Sequence, residues 1–247
     1  MSTFVLVHGA WQGDSTWDLV VPKLQTAGHN VFTPVLTGLG QDSHRLSPAV
    51  KLDSHIDDVA GILKRENLDS VTLVGHSYAG MVITGVAERE SGRLSRLIYV
   101  DAFVPDDGES ALDLLPEPIQ ESFRSEAHAK GEGWRLPASE SLLDLWGLQA
   151  GAAREYVRTR LCDFSLRCFE QKVRLPSNAA AMIQKTFIAA VAQNYPARFV
   201  FERFGKRARR EGWDYHELDA GHDCHVEVPD SFVSLLLADD ARPGTEV

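Results

Sequence analysis

The amino-acid sequence predicts an α/β fold in which a mostly parallel central sheet is flanked by helices. Two observations lead to this prediction. Short apolar, β-branched runs alternate with segments of helical periodicity in the N-terminal third, and the same alternation resumes after residue 180. Strands that alternate with helices form βαβ units, whose parallel sheet is covered on both faces. The 247 residues allow one or two domains and a sizeable core.

The N-terminal elements follow from local patterns. Phe4–Val7 is an apolar run typical of a strand, and apolar residues three and four apart predict a helix over 15–27, which ends at Gly28. A helix from about residue 53 is predicted from one apolar face. The remaining predicted elements of this part are strands at 31–32, 71–74 and 97–100 and a helix at 79–88.

Residues 106–180 interrupt the alternation with Glu- and Leu-rich pieces of helical character and no clear strand. Alternation then resumes, with strands predicted at 186–191 and 213–218 and helices at 197–211 and about 228–238. We therefore expect a core formed by residues 1–105 and 181–247, with a helical cap inserted at 106–180. Residues 242–247 are expected to be disordered.

Composition argues against several classes of partner. The chain has 25 Lys and Arg against 35 Asp and Glu, a net charge of −10, which disfavours nucleic acid and anionic membranes. No apolar run approaches the ~20 residues of a membrane span, and the N-terminus lacks the basic region of a signal peptide. Three cysteines without a CxxC spacing indicate free thiols in a reducing compartment. We expect a cytoplasmic protein that acts on a small molecule. The sequence allows either a monomer or a homodimer.

The stretch Val74-Gly75-His76-Ser77-Tyr78-Ala79-Gly80 lies between a predicted strand and a predicted helix. A nucleophile elbow needs small residues two before and two after its serine, because larger ones would collide with the neighbouring strand or helix. Gly75 and Ala79 meet this need, although Ala79 replaces the glycine of the strict motif. The alternative is a turn whose serine only caps a helix. We identify Ser77 as the candidate nucleophile.

A serine hydroxyl needs a base, and His222 is the candidate among nine histidines. It follows the last predicted strand, precedes the last helix and comes after the serine, an order known from one class of hydrolases. His225 is the rival. His76 is expected to pack behind the turn, and His55 could as well be solvated. No HxH, HExxH or CxxC spacing occurs, so neither a metal site nor a cofactor is expected.

Two backbone amides are candidates for an oxyanion hole. One belongs to Tyr78, directly after the serine, and the other to Ala10 in His8-Gly9-Ala10-Trp11, which follows the first strand. Trp11 is a candidate substrate-binding residue, and the Tyr78 ring could add a second aromatic wall.

Together these motifs and Gly221-His222-Asp223 resemble the α/β-hydrolase superfamily over nearly the whole chain. Within it, the chain is similar to the branch of plant methylesterases, the salicylate-binding esterase and hydroxynitrile lyases, with their bacterial esterase relatives. The resemblance implies an α/β-hydrolase fold with an inserted cap. It also implies that Ser77 is the nucleophile, His222 the base, and Ala10 and Tyr78 the oxyanion donors.

The acid of a catalytic triad does not carry over from this branch. The branch usually places an Asp just past the strand that matches 187–191, where this chain reads Ala192-Gln193-Asn194-Tyr195. Asp101, at the end of the strand after the nucleophile strand, is the best substitute. The alternatives are that Asp101 only caps a turn, or that Gln193 or Asn194 orients the imidazole without a charge.

The resemblance favours hydrolysis of a carboxylic ester. The leucines and tryptophans of the cap imply an apolar pocket, which favours a small apolar or aromatic substrate. A hydroxynitrile-lyase-like carbon–carbon lyase is the second reading. As the resemblance implies, hydroxynitrile lyases have His-Thr at the position of His8-Gly9 and a lysine at the position of Asp223. Both differences favour the esterase. A cofactor-free oxygenase and a ligand receptor with an atypical triad stay open.

Overall fold

The computed structural model describes residues 1–240, and its centre is a six-stranded sheet. The strands are β1 (Thr3–Val7), β2 (Asn30–Phe32), β3 (Val71–His76), β4 (Leu94–Val100), β7 (Gln184–Ala190) and β8 (Asp214–Leu218). Their order across the sheet is β2-β1-β3-β4-β7-β8, and every neighbouring pair is parallel. The prediction of an α/β fold with a parallel central sheet is confirmed.

Helices cover both faces of the sheet. Successive residues of a strand point to opposite faces, and the buried strands carry apolar residues on both, so both faces must be shielded from water. In β1, Val5 and Val7 pack in one core and Phe4 and Leu6 in the other. The helices that follow core strands are α1 (Val21–Thr26), α2 (Leu52–Arg65), α3 (Ala79–Glu90), α8 (Arg198–Arg210), α9 (Cys224–Glu227) and α10 (Pro229–Asp240). Among residues 1–240, no helix is long and apolar enough to cross a membrane.

The helix predicted over 15–27 is wrong as one element. The structure has a 3-10 turn at Asp14–Trp17 and a separate helix α1 that begins at Val21. Pro22 lies in the first turn of α1, where its missing N–H is tolerated. Inside a continuous helix the proline ring would clash with the preceding turn, which explains why the helix restarts there.

The segment between β4 and β7 contains four helices: α4 (Glu117–Lys130), α5 (Ser141–Leu145), α6 (Ala152–Arg158) and α7 (Leu166–Glu170). It also contains two short strands, β5 (Arg135–Leu136) and β6 (Phe164–Ser165), which pair antiparallel. The expectation of no strand in this segment is therefore wrong. Strands of two residues are too short to produce a period-two pattern in a sequence. Residues 242–247, expected to be disordered, lie outside the described residues.

Candidate active site

Ser77 occupies the turn between β3 and α3 with a φ of +57°, a conformation that non-glycine residues rarely adopt. Its amide donates to the carbonyl of Val100 at 3.1 Å, which anchors the turn to the neighbouring strand β4. The side chain faces a cavity at the carboxyl ends of the strands. Its hydroxyl forms no hydrogen bond within residues 1–240, so it is available to a ligand.

His222 and Asp101 meet at the same edge of the sheet. His222 lies in the loop after β8 and Asp101 directly follows β4, and the imidazole Nδ1 is 2.7 Å from Asp101 Oδ2. Both residues are buried. Asp101 has a φ of +40°, and its amide donates to the carbonyl of Ile188 on β7. The structure therefore brings together the three residues that sequence analysis singled out, with Ser77 and His222 lining one cavity.

Burial changes the proton affinity of both partners. It raises the pKa of the Asp101 carboxyl to about 7, although the Tyr195 hydroxyl and the Ala190 amide oppose this rise. Burial also lowers the pKa of the His222 imidazole. Each shift follows from the loss of water around the charged form of the group. Burial therefore disfavours both the carboxylate form of Asp101 and the imidazolium form of His222.

Tyr195 is the residue that sequence analysis missed. Its hydroxyl oxygen lies 2.7 Å from Asp101 Oδ2 and 2.9 Å from His222 Nδ1. The suggestion that Gln193 or Asn194 orients the imidazole is wrong, because both are exposed and the Asn194 amide donates to the Gly147 carbonyl. The sequence held one indication: Tyr195 belongs to the stretch after β7 where the resembled branch carries its acid.

The segment after β1 lies directly against the candidate nucleophile. A β-carbon added to Gly9 would be 3.1 Å from the Ser77 β-carbon, so a larger residue here would require the two segments to move apart slightly. The amides of Ala10 and Tyr78 donate no hydrogen bond to any group within residues 1–240. Two free amides beside the candidate nucleophile are the donors that an oxyanion hole would require.

The Tyr78 side chain does not line the cavity, so the expectation of an aromatic wall from this residue is wrong. Its ring is fully buried and its hydroxyl is hydrogen-bonded to His55 Nδ1 at 3.1 Å. His55 is buried as well, contrary to the expectation that it could be solvated, and its Nε2 lies 3.0 Å from the carbonyl of Thr37. The pair connects α2 to the turn that follows Ser77.

The cavity above Ser77 has a volume of about 240 Å³ and a mostly apolar lining. Its walls come from the core and from the segment between β4 and β7; the large members are Trp11, Phe103, Leu115, Phe123, Trp146 and Phe201. The Trp11 indole N–H is bonded to the Leu136 carbonyl and so presents only its ring face to a ligand. A larger polar cleft of about 540 Å³ contains neither Ser77 nor His222, and we therefore assign the site to the smaller cavity.

The backbone of His222 is held from two sides. Its amide donates to the Trp146 carbonyl at 2.9 Å, and its own carbonyl lies 2.9 Å from His76 Nε2. The second contact agrees with the expectation that His76 packs behind the turn. The rival base His225 is buried against the Thr16 hydroxyl, 2.9 Å from its Nε2, and does not line the cavity.

His76, Asp223 and His225 form a buried cluster beneath His222. Each presents a ligand-type atom within 4.8 Å of the others, and His76 Nδ1, Asp223 Oδ2 and His225 Nδ1 have no hydrogen-bond partner in the described chain. Such donors suit a divalent metal. However, the single carboxylate of the cluster would neutralise only part of the charge of a divalent ion. Net positive charge would then remain near His222, whose ring centroid is 4.5 Å from that of His76. That charge would oppose protonation of the base. The absence of a metal site therefore stays a prediction.

A model of the alpha/beta hydrolase family matches residues 4–235, and the chain therefore belongs to this family. It is 35% identical over 247 residues to a carbendazim hydrolyzing esterase from Nocardioides sp. (strain SG-4G), a match that covers 96% of this chain and 99% of that protein. It is also 29% identical over 165 residues to methylesterase 2 from Arabidopsis thaliana, covering 66% of this chain and 60% of that protein.

Among solved structures, the fold resembles an extracellular alpha/beta-hydrolase from a Paenibacillus species with a TM-score of 0.79. That match has 23% sequence identity and covers 96% of this chain and 98% of the other. Relatives of the chain also include tobacco salicylic acid-binding protein 2 and an Arabidopsis alpha-hydroxynitrile lyase, so the predicted branch of the family is confirmed. This homology supports a hydrolase of the esterase type.

Proposed function

We propose that this protein is a serine esterase that cleaves small apolar or aromatic carboxylic esters through an acyl-enzyme. One observation carries the proposal: His222, 2.7 Å from the buried carboxylate of Asp101, lines the same apolar cavity as the unbonded hydroxyl of Ser77. A nucleophile, a base and an acid in this relation are the parts that acyl transfer requires.

In the proposed mechanism, the Ser77 oxygen attacks the ester carbonyl while His222 Nε2 takes the hydroxyl proton. The Asp101 carboxylate accepts a hydrogen bond from Nδ1–H, which stays on the ring, and its negative charge stabilises the imidazolium. The amides of Ala10 and Tyr78 donate to the oxygen that becomes negative in the tetrahedral intermediate. His222 then gives its proton to the leaving alcohol, and a water molecule, activated by the same base, releases the acid. No cofactor is needed.

The apolar walls support the substrate class. A cavity of about 240 Å³ with Trp11 and Trp146 in its lining accommodates a small ester with one flat or aliphatic group. The Nocardioides relative is described as hydrolysing carbendazim, which makes aromatic methyl esters and carbamates the first substrates to test. All three cysteines are free thiols, which supports the cytoplasmic location as part of this proposal.

A fluorophosphonate probe tests the proposal directly. We expect it to label Ser77, and Ser77→Ala to abolish both labelling and turnover of p-nitrophenyl acetate. Ser122→Ala is the matched control, since Ser122 lies at the same cavity on α4 and takes no part in the proposed chemistry. A folded Ser77→Ala enzyme with normal turnover would refute the mechanism. Mandelonitrile cleavage, measured alongside, distinguishes the lyase alternative.

A further inference from the structure

We propose that Tyr195 is a positioning residue of this site, whose hydroxyl keeps the Asp101 carboxylate ionised and thereby holds the imidazole proton of His222 on Nδ1. The inference rests on the proposed function, in which Asp101 and His222 serve Ser77. Tyr195 itself does not line the cavity and therefore acts through the other two residues.

The geometry is a triangle of three polar atoms. The Tyr195 hydroxyl oxygen is 2.7 Å from Asp101 Oδ2 and 2.9 Å from His222 Nδ1, and Nδ1 is 2.7 Å from the same Oδ2. When the carboxylate is ionised, it has no proton to give, so both the phenol and Nδ1–H donate to Oδ2. This arrangement leaves Nε2 unprotonated and able to accept the Ser77 proton.

Asp101 has little other support for its charge. It is 2% exposed, and within residues 1–240 its second oxygen accepts only the Ala190 amide, at a distance of 3.4 Å. The positive charge of Arg198 lowers the pKa of Asp101 less than either hydrogen bond does, and its guanidinium donates to the Val191 carbonyl. Burial raises the pKa of Asp101, and the Tyr195 hydroxyl is the largest influence in the opposite direction. The phenol is therefore the principal neutral donor that makes a buried carboxylate tolerable.

Loss of that donor has a defined chemical consequence. A protonated Asp101 would donate to Nδ1, and the imidazole would then carry its proton on Nε2. In this tautomer His222 cannot accept the proton of Ser77, so the enzyme loses its base while the backbone stays in place. Tyr195 thus controls the pH below which the site becomes inactive.

The fold holds Tyr195 where this role requires. Its side chain is buried, and its α-carbon packs against Gly147, where an added β-carbon would lie 2.9 Å away. Gly147 directly follows Trp146, whose carbonyl accepts the His222 amide. The same turn therefore packs against both Tyr195 and the backbone of the base.

Tyr195→Phe tests the inference because it removes only the hydroxyl. We expect kcat/KM for p-nitrophenyl acetate to fall roughly tenfold near neutral pH, the scale of one hydrogen bond to a charged group. The loss should be larger at pH 6 than at pH 9, since the acidic limb of the profile moves to higher pH. Tyr215→Phe is the control, because the Tyr215 phenol donates to the exposed Glu217 carboxylate and not to Asp101 or His222.

Two further measurements keep the inference testable if the phenylalanine variant folds poorly. Replacement of Tyr195 by 3-fluorotyrosine gives a stronger donor of nearly the same size, and we expect the acidic limb to move to lower pH. In an Asp101→Asn background, Tyr195→Phe should no longer change the shape of the profile. An equal loss of activity at every pH, or an unchanged acidic limb with either replacement, would overturn the role of Tyr195.

The proposed function and this inference fail in different ways. Turnover by Ser77→Ala would remove the proposed function, whatever Tyr195 does. An inactive Ser77→Ala enzyme together with a wild-type pH profile in Tyr195→Phe would remove only the inference.

Discussion

The carbonyl oxygen of Phe103 lies so close to Gly80 that a β-carbon added to the glycine would come within 1.9 Å of it. The amide of Phe103 also donates to the Ser77 carbonyl at 3.2 Å. Phe103 is two residues past Asp101, and Gly80 lies in the first turn of α3, three residues past Ser77. The contact therefore fixes the segment that carries the candidate acid against the turn that carries Ser77.

We expect Gly80→Ala to destabilise the fold and to remove activity. The added methyl group cannot be accommodated without moving one backbone, which costs about 1–3 kcal/mol or more. Gly61→Ala on α2 is the matched control, because its β-carbon would meet nothing within 4 Å. That substitution should stabilise the protein by about 0.5–1 kcal/mol. Urea unfolding measures both, and equal effects of the two substitutions would contradict the close contact.

We expect Asp101→Asn to lower kcat/KM by about 10³–10⁴ while the protein stays folded. An amide can donate to Nδ1 and so stabilise the tautomer that cannot act as a base. Because burial raises the pKa of Asp101, a neutral side chain should not lower the melting temperature at pH 8. Asp219→Asn, at an exposed residue just past β8, is the control and should leave both quantities unchanged. Retention of wild-type kcat/KM in Asp101→Asn would show that Asp101 is not the acid.

Local patterns were sufficient to predict the parallel sheet and the positions of Ser77 and His222. Both residues follow strands, and the carboxyl ends of parallel strands meet at one edge, so their proximity follows from topology. Asp101 could be selected for the same reason. The choice between Asp101 and the residues after β7, Gln193 and Asn194, depended on which side chain faces His222 Nδ1. Strand order alone does not determine that.

Tyr195 and the buried pair of His55 and Tyr78 could not be predicted from the sequence. Each depends on two segments that approach only in the folded chain, and neither phenol has a local pattern that indicates its partner. The His76, Asp223 and His225 cluster escaped the search for ligand spacing for the same reason. Its members come from the elbow and from the loop after β8.

We expect Phe123→Ala to shift specificity toward bulkier esters. Phe123 lines the cavity from α4, with its ring centroid 5.6 Å from that of Trp11, so truncation enlarges the pocket beside the indole. The ratio of kcat/KM for p-nitrophenyl benzoate to that for p-nitrophenyl acetate should rise roughly tenfold, the scale of an apolar pocket contact. Phe199→Ala is the control, because Phe199 is 55% exposed and lies outside the cavity lining. An equal change of the ratio in both variants would show that Phe123 does not shape the pocket.

The buried histidine of α2 should make the fold sensitive to acid. Burial lowers the pKa of His55 from its ordinary value of 6.5 to about 4. Between these values the unfolded chain binds a proton that the native state does not, so the free energy of unfolding falls as the pH decreases from 6.5 to 4. The cost reaches about 3 kcal/mol for this residue.

His55→Gln isolates that contribution. Glutamine can still donate to the Thr37 carbonyl and accept from the Tyr78 hydroxyl, the two contacts that His55 makes, but it does not titrate. We expect the melting temperature of the variant to rise relative to that of the wild type as the pH is lowered from 8 to 4. His44→Gln provides the comparison, because the His44 side chain is 74% exposed and the same replacement at the surface should change the melting temperature at pH 8 little. Parallel pH dependences of wild type and His55→Gln would mean that His55 is able to take up a proton in the folded protein.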